Sequence, residues 1–159
     1  MLKVAIGADD AATGLKNLVK EHLQRKEIEV VDFSHDVVGN EQMYPDIAFN
    51  LASAIREGAF ERGLLFCGTG IGMAIVANKV PGVRAAQCHD IYSAERARKS
   101  NNAQIMTLGA RVVGSELALM LVDAWLAAEF EAGRSGPKVK RIDYYETLVH
   151  PDGAARSDE

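Results

Sequence analysis

The sequence predicts an α/β fold built on a five-stranded parallel sheet. Short apolar runs alternate with longer segments of helical periodicity, which is the pattern of consecutive βαβ units. One apolar run ends directly in a glycine-rich turn, Cys67-Gly-Thr-Gly-Ile-Gly72, as expected at the carboxyl end of a strand. The chain has 159 residues, and its 48% hydrophobic and 25% charged content are typical of a globular protein.

Strands and helices alternate along the whole chain. The predicted strands cover residues 3–7, 29–33, 62–67, 83–88 and 105–108. The predicted helices cover residues 12–24, 47–57, 73–79, 93–99, 114–131 and 137–148. In the first helix, Leu15, Val19 and Leu23 recur at four-residue intervals and lie on one face. Pro45 suits the start of the second helix, and a polar loop through Gly39 and Asn40 precedes it.

The second half of the chain is punctuated by a strong turn and a long amphipathic helix. Pro81-Gly82 separates the short third helix from the fourth strand. The helix predicted over residues 114–131 carries Leu117, Met120 and Trp125 on its apolar face. The helix predicted over residues 137–148 is expected to pack on a partner subunit.

Length, charge and cysteine content limit the possible classes of protein. We expect one domain over residues 1–150 and a flexible tail over residues 151–159. The net charge of −4 argues against a nucleic-acid partner, and no apolar run approaches the roughly 20 residues of a membrane span. The first residues resemble a strand, not a signal peptide. Cys67 and Cys88 form no disulfide framework and lack metal-ligand spacing, so we expect a cytoplasmic protein without metal or cofactor.

Four polar segments follow strands and are therefore expected at one edge of the sheet, where open parallel sheets bind ligands. These segments are Asp9-Asp10, Cys67 to Gly72, Cys88-His89-Asp90 and Gly109-Ala110-Arg111. Asp9 ends its strand, where its carboxylate can accept hydrogen bonds from sugar hydroxyls. For Asp10, a charge in the first turn of a helix is an equally good interpretation.

The segment from Cys67 to Gly72 carries the most specific chemistry. Glycine allows backbone N–H groups to turn toward an anion, and a thiol beside such amides suits removal of a carbon-bound proton. Gly68, Gly70, Ile71 and Gly72 would then hold the enolate oxygen, with the Thr69 hydroxyl nearby. A tight turn next to an incidental buried cysteine is the alternative that this segment alone would favour.

Basic and amide side chains elsewhere suit a phosphosugar. Arg134 and Lys138 lie four residues apart and fit a phosphate clamp, although taken alone they would be solvated surface charges. Arg111, at the carboxyl end of the fifth strand, is a third candidate cation. Asn101 either caps a helix or directs its amide at substrate hydroxyls.

Taken together, these motifs resemble the type B ribose-5-phosphate isomerases and the wider family that includes the galactose-6-phosphate isomerase subunits. The resemblance spans about residues 1–142 and rests on eight motifs in the family order: Gly7-Ala8-Asp9, Tyr44-Pro45-Asp46, Cys67 to Met73, Ala77 to Gly82, Tyr92 to Glu95, Ser100 to Ala103, Gly109 to Gly114 and Val122 to Trp125. It implies a Rossmann-like three-layer sandwich with helices on both faces of the sheet. It also implies a homodimer or dimer of dimers with active sites between subunits, no metal, and aldose–ketose isomerisation through a cis-enediolate, an intramolecular oxidoreduction.

The resemblance also implies roles for individual residues. Cys67 matches the base that moves a proton between C1 and C2, and Gly68 to Gly72 match the loop that stabilises the enediolate. Thr69 and Asn101 match polar contacts near it, and Asp9 matches a residue that holds sugar hydroxyls. Arg134 and Lys138 match two phosphate ligands, of which the second is usually arginine.

Two positions depart from the family pattern. Asp10 stands where the family has a histidine, and a carboxylate there repels phosphate. Ser100 replaces a histidine that, in members acting on pentose phosphates, protonates the ring oxygen. A tetrose 4-phosphate has its C4 oxygen blocked and stays open, so it needs no such acid. We therefore favour erythrose 4-phosphate and erythrulose 4-phosphate as substrates. In the alternative, ribose 5-phosphate is used and His89 opens the ring.

Two further alternatives remain open from the sequence. In the first, the chain is the cysteine-bearing subunit of a galactose-6-phosphate isomerase, with a second chain supplying the acid. A phosphosugar-binding domain without activity is a third class, which the altered Asp10 and Ser100 favour and the retained Cys67 and Thr69 disfavour.

Overall fold

A computed structural model describes residues 1–34 and 42–149. Within them, a five-stranded sheet has the order β2-β1-β3-β5-β4, and every pair of neighbours is parallel. The strands are β1 (Lys3–Ala8), β2 (Glu29–Asp32), β3 (Arg62–Cys67), β4 (Ala85–Gln87) and β5 (Ile105–Gly109). The helices are α1 (Thr13–Arg25), α2 (Tyr44–Arg56), α3 (Ile71–Ala77), α4 (Ile91–Lys99), α5 (Ser115–Ala127) and α6 (Ala132–Val149). A 3-10 turn, Asp10–Ala12, precedes α1.

The sheet lies between two hydrophobic cores. Successive strand residues face opposite sides, so Leu64 and Phe66 of β3 join one core whereas Leu65 and Cys67 join the other. Helices α1, α4 and α5 cover the first face, and α2 and α3 cover the second. This arrangement confirms the predicted Rossmann-like three-layer sandwich with a five-stranded parallel sheet.

The structure differs from the sequence prediction at the end of α5. The helix ends at Ala127, not residue 131, and Ala128 is extended with φ −81° and ψ 141°. The buried guanidinium of Arg62 donates to the carbonyl oxygens of Trp125 and Ala128, both at 3.1 Å. Because these bonds satisfy the last carbonyls of the helix, the chain leaves it there. The predicted core residues Leu117 and Met120 of α5 are exposed.

A buried charge cluster fixes the carboxyl end of β2. The side chains of Lys16 and Asp32 are 0% and 3% exposed, and Lys16 Nζ lies 3.0 Å from Asp32 Oδ2. Lys20 Nζ bonds the same oxygen at 3.1 Å, and the Ser34 N–H donates to Asp32 Oδ1 at 3.0 Å. Ser34 Oγ in turn accepts from the Ala8 N–H at 2.9 Å. The cluster therefore ties α1 and β2 to the end of β1, beside Asp9.

The predicted loop through Gly39 and Asn40 and the predicted tail over residues 151–159 lie outside the described residues. None of the helices within the described ranges has the length and apolar character needed to cross a membrane. Helix α6 runs beside the edge strand β4, because Asp143 pairs with Arg84 at 3.0 Å and Glu146 accepts from the Gly82 N–H at 2.8 Å.

Candidate active site

Cys67 is the last residue of β3, and the turn that follows folds back over its thiol. The residue is 5% exposed, and its Sγ accepts a hydrogen bond from the Gly70 N–H at 3.1 Å. A backbone donor at this distance stabilises negative charge on sulfur. The structure thus brings the predicted base and the predicted glycine loop into direct contact.

Gly70 is the residue whose backbone makes this turn possible. Its φ of +78° lies in the left-handed region, and a Cβ there would lie 2.9 Å from the Leu108 carbonyl carbon. Its carbonyl oxygen accepts from the buried Thr107 hydroxyl at 2.7 Å. Helix α3 begins at the next residue, Ile71. The turn is therefore clamped between β3, β5 and α3.

Thr69 is exposed at the tip of the turn. Its hydroxyl oxygen accepts from the Ile71 N–H at 3.2 Å, and its carbonyl oxygen accepts from the Gln87 side-chain amide at 2.7 Å. Gln87 ends β4, which lies beyond β5 in the sheet, and was not predicted to take part. Its position at a strand end, beside the predicted Cys88-His89-Asp90 segment, is the sequence signal that points to it.

Tyr44 is a second residue that the sequence reasoning did not place at the site. Its ring occupies the space beside Gly72, because a Cβ on Gly72 would lie 2.5 Å from the Tyr44 ring and hydroxyl. Tyr44 is the first residue of α2 and is 39% exposed. The Tyr44-Pro45-Asp46 motif is the sequence signal for it, but that motif predicts a helix start and contributes to the family resemblance without indicating a role at the site.

The loop after β5 packs against the cysteine loop. The Ala110 N–H donates to the Cys67 carbonyl at 2.9 Å, and the Arg111 N–H donates to the Gly68 carbonyl at 3.0 Å. A Cβ on Gly68 would lie 3.3 Å from an Arg111 Nη atom. The predicted cation Arg111 therefore lies directly beside the predicted anion-binding loop, with its residue exposed.

His89 lies at the same edge, but its ring nitrogen is already engaged. Its Nε2 accepts from the Gly109 N–H at 3.0 Å, so the neutral ring carries its proton on Nδ1. Burial lowers the pKa of His89, and the Asp90 carboxylate opposes this only in part. Asp90 caps α4 by accepting from the Ser93 N–H at 2.7 Å. The structure therefore presents His89 as a neutral hydrogen-bond acceptor.

Asp9 lies next to Cys67 across the sheet. Ala8 of β1 pairs with Phe66 of β3, and the Asp9 N–H donates to the Phe66 carbonyl at 3.2 Å. The Asp9 Oδ1 atom is buried and accepts no hydrogen bond from the described residues. Asp10 is exposed in the 3-10 turn that follows. Asp9 is thus placed to accept from a ligand, whereas Asp10 faces solvent.

The remaining predicted residues form a second group. Asn101 lines a cavity of about 410 Å³ with Gln87, Ser93 and Arg96, and Ser100 precedes it at the end of α4. Arg134 and Lys138 are exposed on α6. Among the described residues, Ser100, Asn101, Arg134 and Lys138 make no hydrogen bond or ion pair to the Cys67 loop, whereas Gln87 lines the cavity beside Asn101 and also bonds the Thr69 carbonyl. The predicted site residues of one copy therefore form two groups, and Gln87 contacts both.

Comparison with known proteins matches this arrangement to one family. The family model described as Ribose/Galactose Isomerase matches residues 4–142. D-erythrulose-4-phosphate isomerase of Pectobacterium atrosepticum is 62% identical over 146 residues, covering 92% of this chain and 96% of the relative. Ribose-5-P isomerase B of Listeria innocua is 51% identical over 142 residues, covering 89% and 95%. The solved structure of Clostridium thermocellum ribose-5-phosphate isomerase B superposes with a TM-score of 0.87 at 41% identity, covering 93% and 99%.

The fold, the cysteine loop and these relatives define an aldose–ketose isomerase of sugar phosphates. The chain belongs to the Ribose/Galactose Isomerase family. The resemblance inferred from the eight sequence motifs is thereby confirmed.

Proposed function

We propose that this protein interconverts erythrose 4-phosphate and erythrulose 4-phosphate, with Cys67 as the base. The observation that carries the proposal is the Gly70 N–H bond to Cys67 Sγ, because it places a thiol within a turn of backbone donors. The name of the Pectobacterium relative, a D-erythrulose-4-phosphate isomerase, supports this choice of substrate.

The proposed reaction needs one base and one set of oxyanion donors. The Cys67 thiolate removes the proton on C2 of the aldose, and the electron pair moves onto the C1 carbonyl oxygen to give a cis-enediolate. Backbone amides of residues 68–72, with Thr69, stabilise the charged oxygen. The proton then returns to C1, the proton of the C2 hydroxyl passes to the C1 oxygen, and C2 becomes the carbonyl carbon, so no redox partner is consumed.

The acid required for a cyclic substrate is missing from the expected position. Ser100 does not act as a cationic acid, and His89 is a neutral acceptor whose pKa is lowered by burial. A tetrose 4-phosphate is already open, because its C4 oxygen carries the phosphate and closure through C3 would need a four-membered ring. These two features favour the tetrose over ribose 5-phosphate, the alternative that the Listeria relative supports.

A second copy of the chain completes the proposed site. Within one copy, Asn101, Arg134 and Lys138 make no hydrogen bond or ion pair to the Cys67 loop among the described residues, and in the proposed dimer they reach the substrate held by a partner's cysteine loop. The apolar side chains of Ile142, Tyr145 and Leu148 on α6 are 46%, 55% and 59% exposed, which is the type of surface that a homodimer covers. The dimer or dimer of dimers is therefore part of the proposal.

The proposal also includes a cytoplasmic location and two phosphate ligands. Cys67 and Cys88 are both free thiols, which fits the reducing cytoplasm. Arg134 and Lys138 would bind the phosphate, with lysine supplying charge without a bidentate fork.

The decisive measurement is kcat/KM of the purified protein with erythrose 4-phosphate and with ribose 5-phosphate. We expect a preference for the tetrose of about tenfold or more, equivalent to about 1.4 kcal/mol of transition-state binding. Equal or faster turnover of the pentose would overturn the choice of substrate. Activity of the single purified chain would also contradict the subunit role in a two-chain galactose-6-phosphate isomerase.

A further inference from the structure

Arg96 and Ser100 form a close pair one turn apart at the end of α4. Arg96 Nε donates to Ser100 Oγ at 2.7 Å, and Arg96 Nη2 donates to the same oxygen. The Ser100 N–H donates to the Arg96 carbonyl at 2.8 Å, which fixes the backbone of the pair. The guanidinium therefore holds a single hydroxyl oxygen with two of its donors.

This geometry determines which hydrogen bonds remain available to the Ser100 hydroxyl. A serine hydroxyl has one donor and two acceptor lone pairs, and Arg96 engages both lone pairs. Only the O–H remains, and no described residue accepts it. Because the two donors belong to a cation, they polarise the O–H bond and strengthen it as a donor. Ser100 is thus a hydrogen-bond donor that has no acceptor among residues 1–34 and 42–149.

Arg96 differs from nearby basic residues in its hydrogen-bond partner, which is a hydroxyl and not a carboxylate. Lys99 pairs with Glu95 at 3.6 Å and Arg84 pairs with Asp143 at 3.0 Å, whereas no carboxylate among the described residues pairs with Arg96. Arg96 lines the cavity of about 410 Å³ together with Asn101. Arg96 therefore presents a positive charge to the cavity in which Asn101 is predicted to meet the substrate, and Ser100, which Arg96 holds, directly precedes Asn101 in the chain.

We propose that Arg96 is a positioning residue that fixes Ser100 as a donor to a hydroxyl oxygen of an open-chain sugar phosphate. A neutral hydroxyl holds an oxygen without releasing a proton near neutral pH, so it binds an open chain but does not open a ring. This inference rests on the proposed function and gives a structural reason why the enzyme would prefer an open-chain substrate. In this proposal the Arg96–Ser100 pair selects open-chain substrates at the position for which the family resemblance implies a ring-opening acid in isomerases of pentose phosphates.

A double-mutant cycle with erythrose 4-phosphate tests the pair. The variants are Arg96→Met, Ser100→Ala and both together, with kcat and KM measured for each. We expect each single change to lower kcat/KM about tenfold, the worth of one hydrogen bond to a polarised group. Since Arg96 acts through Ser100, Arg96→Met should have little further effect in the Ser100→Ala background. Arg96→Lys keeps the charge but loses the fork, so we expect partial recovery.

A matched control removes a distant arginine. Arg25 has a side chain that is 75% exposed and pairs with Glu21 on α1, so Arg25→Met lowers the net charge equally without reaching the cavity. Its kcat/KM should equal that of the wild type. Thermal unfolding of all variants checks that they fold. If Arg96→Met does not fold, Ser100→Ala provides the test, because it keeps the whole Arg96 side chain.

Three results would overturn the inference. A further loss from Arg96→Met in the Ser100→Ala background would mean that Arg96 contacts the phosphate directly. Unchanged kcat/KM in both single variants would show that Arg96 and Ser100 take no part in substrate recognition, and it would not affect the proposed tetrose isomerase activity. Wild-type protein that turns over ribose 5-phosphate but not erythrose 4-phosphate would contradict the proposed function itself. The wild-type assay therefore distinguishes failure of the proposed function from failure of the inference about Arg96 and Ser100.

Discussion

The Gly70 N–H donates a hydrogen bond to the Sγ of Cys67 over 3.1 Å, inside a turn only three residues long. The contact depends on the +78° φ of Gly70, which turns the amide back toward the end of β3. The same turn is secured by Gln87 on the Thr69 carbonyl and by Thr107 on the Gly70 carbonyl. The Gly70 donor is therefore held in place against the thiol before substrate arrives.

Replacing Cys67 by alanine should abolish turnover without abolishing binding. General-base catalysis contributes about 10²–10⁴-fold, so we expect kcat to fall by at least that range. The substitution leaves the backbone amides of residues 68–72 unchanged. Erythrose 4-phosphate should therefore bind to the variant with similar affinity, as measured by calorimetry. An unaltered kcat would exclude Cys67 as the base and favour a binding domain without activity.

Cys88→Ala is the matched control for that experiment. Cys88 is 2% exposed in the core on the other face of the sheet, and burial, together with the Asp90 charge, raises its pKa to about 11. The thiol is therefore protonated at neutral pH and is no base. We expect kcat within about twofold of the wild type and a loss of about 1 kcal/mol in the free energy of unfolding.

Gly70→Ala should lower activity more than the strain on its backbone explains. An alanine at φ +78° costs about 1–2 kcal/mol, and its Cβ would also press on the Leu108 carbonyl carbon at 2.9 Å. Relief of that contact moves the amide away from Cys67 Sγ, so we expect kcat to fall by about tenfold or more. Steady-state kinetics and urea unfolding measure the two effects separately.

Gly58 provides the comparison for Gly70. Its φ is +79°, and no atom lies within 4 Å of the Cβ position, so Gly58→Ala carries the backbone strain without the collision. We expect a similar backbone cost with unchanged kcat. If both variants kept full activity, the Gly70 donor would have no part in catalysis.

Much of the fold could be predicted because local patterns and global packing agree. The alternation of strands and helices predicted the parallel sheet, the family resemblance implied the three layers, and Cys67 was placed correctly at a strand end. The end of α5 could not be predicted, since the guanidinium that caps its carbonyls comes from Arg62, far earlier in the chain. Such a contact exists only once β3 and α5 have packed.

The candidate site shows the same division. The Cys67–Gly72 loop is contiguous in sequence, so its chemistry was visible there. Tyr44 against Gly72 and the Gln87 bond to Thr69 are contacts between separate elements, and neither residue type indicates chemistry by itself. The Arg96–Ser100 pair spans only four residues, yet arginine on a helix is usually a solvated charge, so the pattern did not distinguish it.

Asp32→Asn should destabilise the fold in a pH-dependent way. Burial raises the pKa of Asp32, but the bonds from Ser34, Lys16 and Lys20 outweigh burial and hold the pKa below its usual 3.8. A lowered folded-state pKa stabilises the protein above the unfolded-state value, and this stabilisation is lost as the pH falls through the folded-state pKa. We expect Asp32→Asn to cost about 3 kcal/mol at pH 7 and progressively less below about pH 4.

Urea unfolding of wild type and variant from pH 7 down to pH 3 measures this difference. Asp123→Asn is a control of the same chemistry, because Asp123 bonds His22 and Lys26 near the surface and its side chain is 39% exposed. Its cost should stay below about 1 kcal/mol. A difference for Asp32→Asn that does not depend on pH would mean that its carboxylate is not the group that stabilises the fold.

His89→Gln should leave tetrose turnover almost unchanged, because His89 serves the site as an acceptor. A glutamine oxygen can accept the Gly109 N–H that His89 Nε2 now accepts at 3.0 Å, but it does not titrate. The pKa of His89 is lowered by burial, so its contribution to stability is complete above about pH 6.5 and is lost as the pH falls through the lowered value. Protonation would set an N–H against the Gly109 N–H. The wild type should therefore lose stability relative to His89→Gln between pH 7.5 and pH 5, measured by urea unfolding. Turnover of erythrose 4-phosphate should stay within about threefold at pH 7.5, whereas a loss of about 10²-fold would show that His89 acts as a proton donor after all.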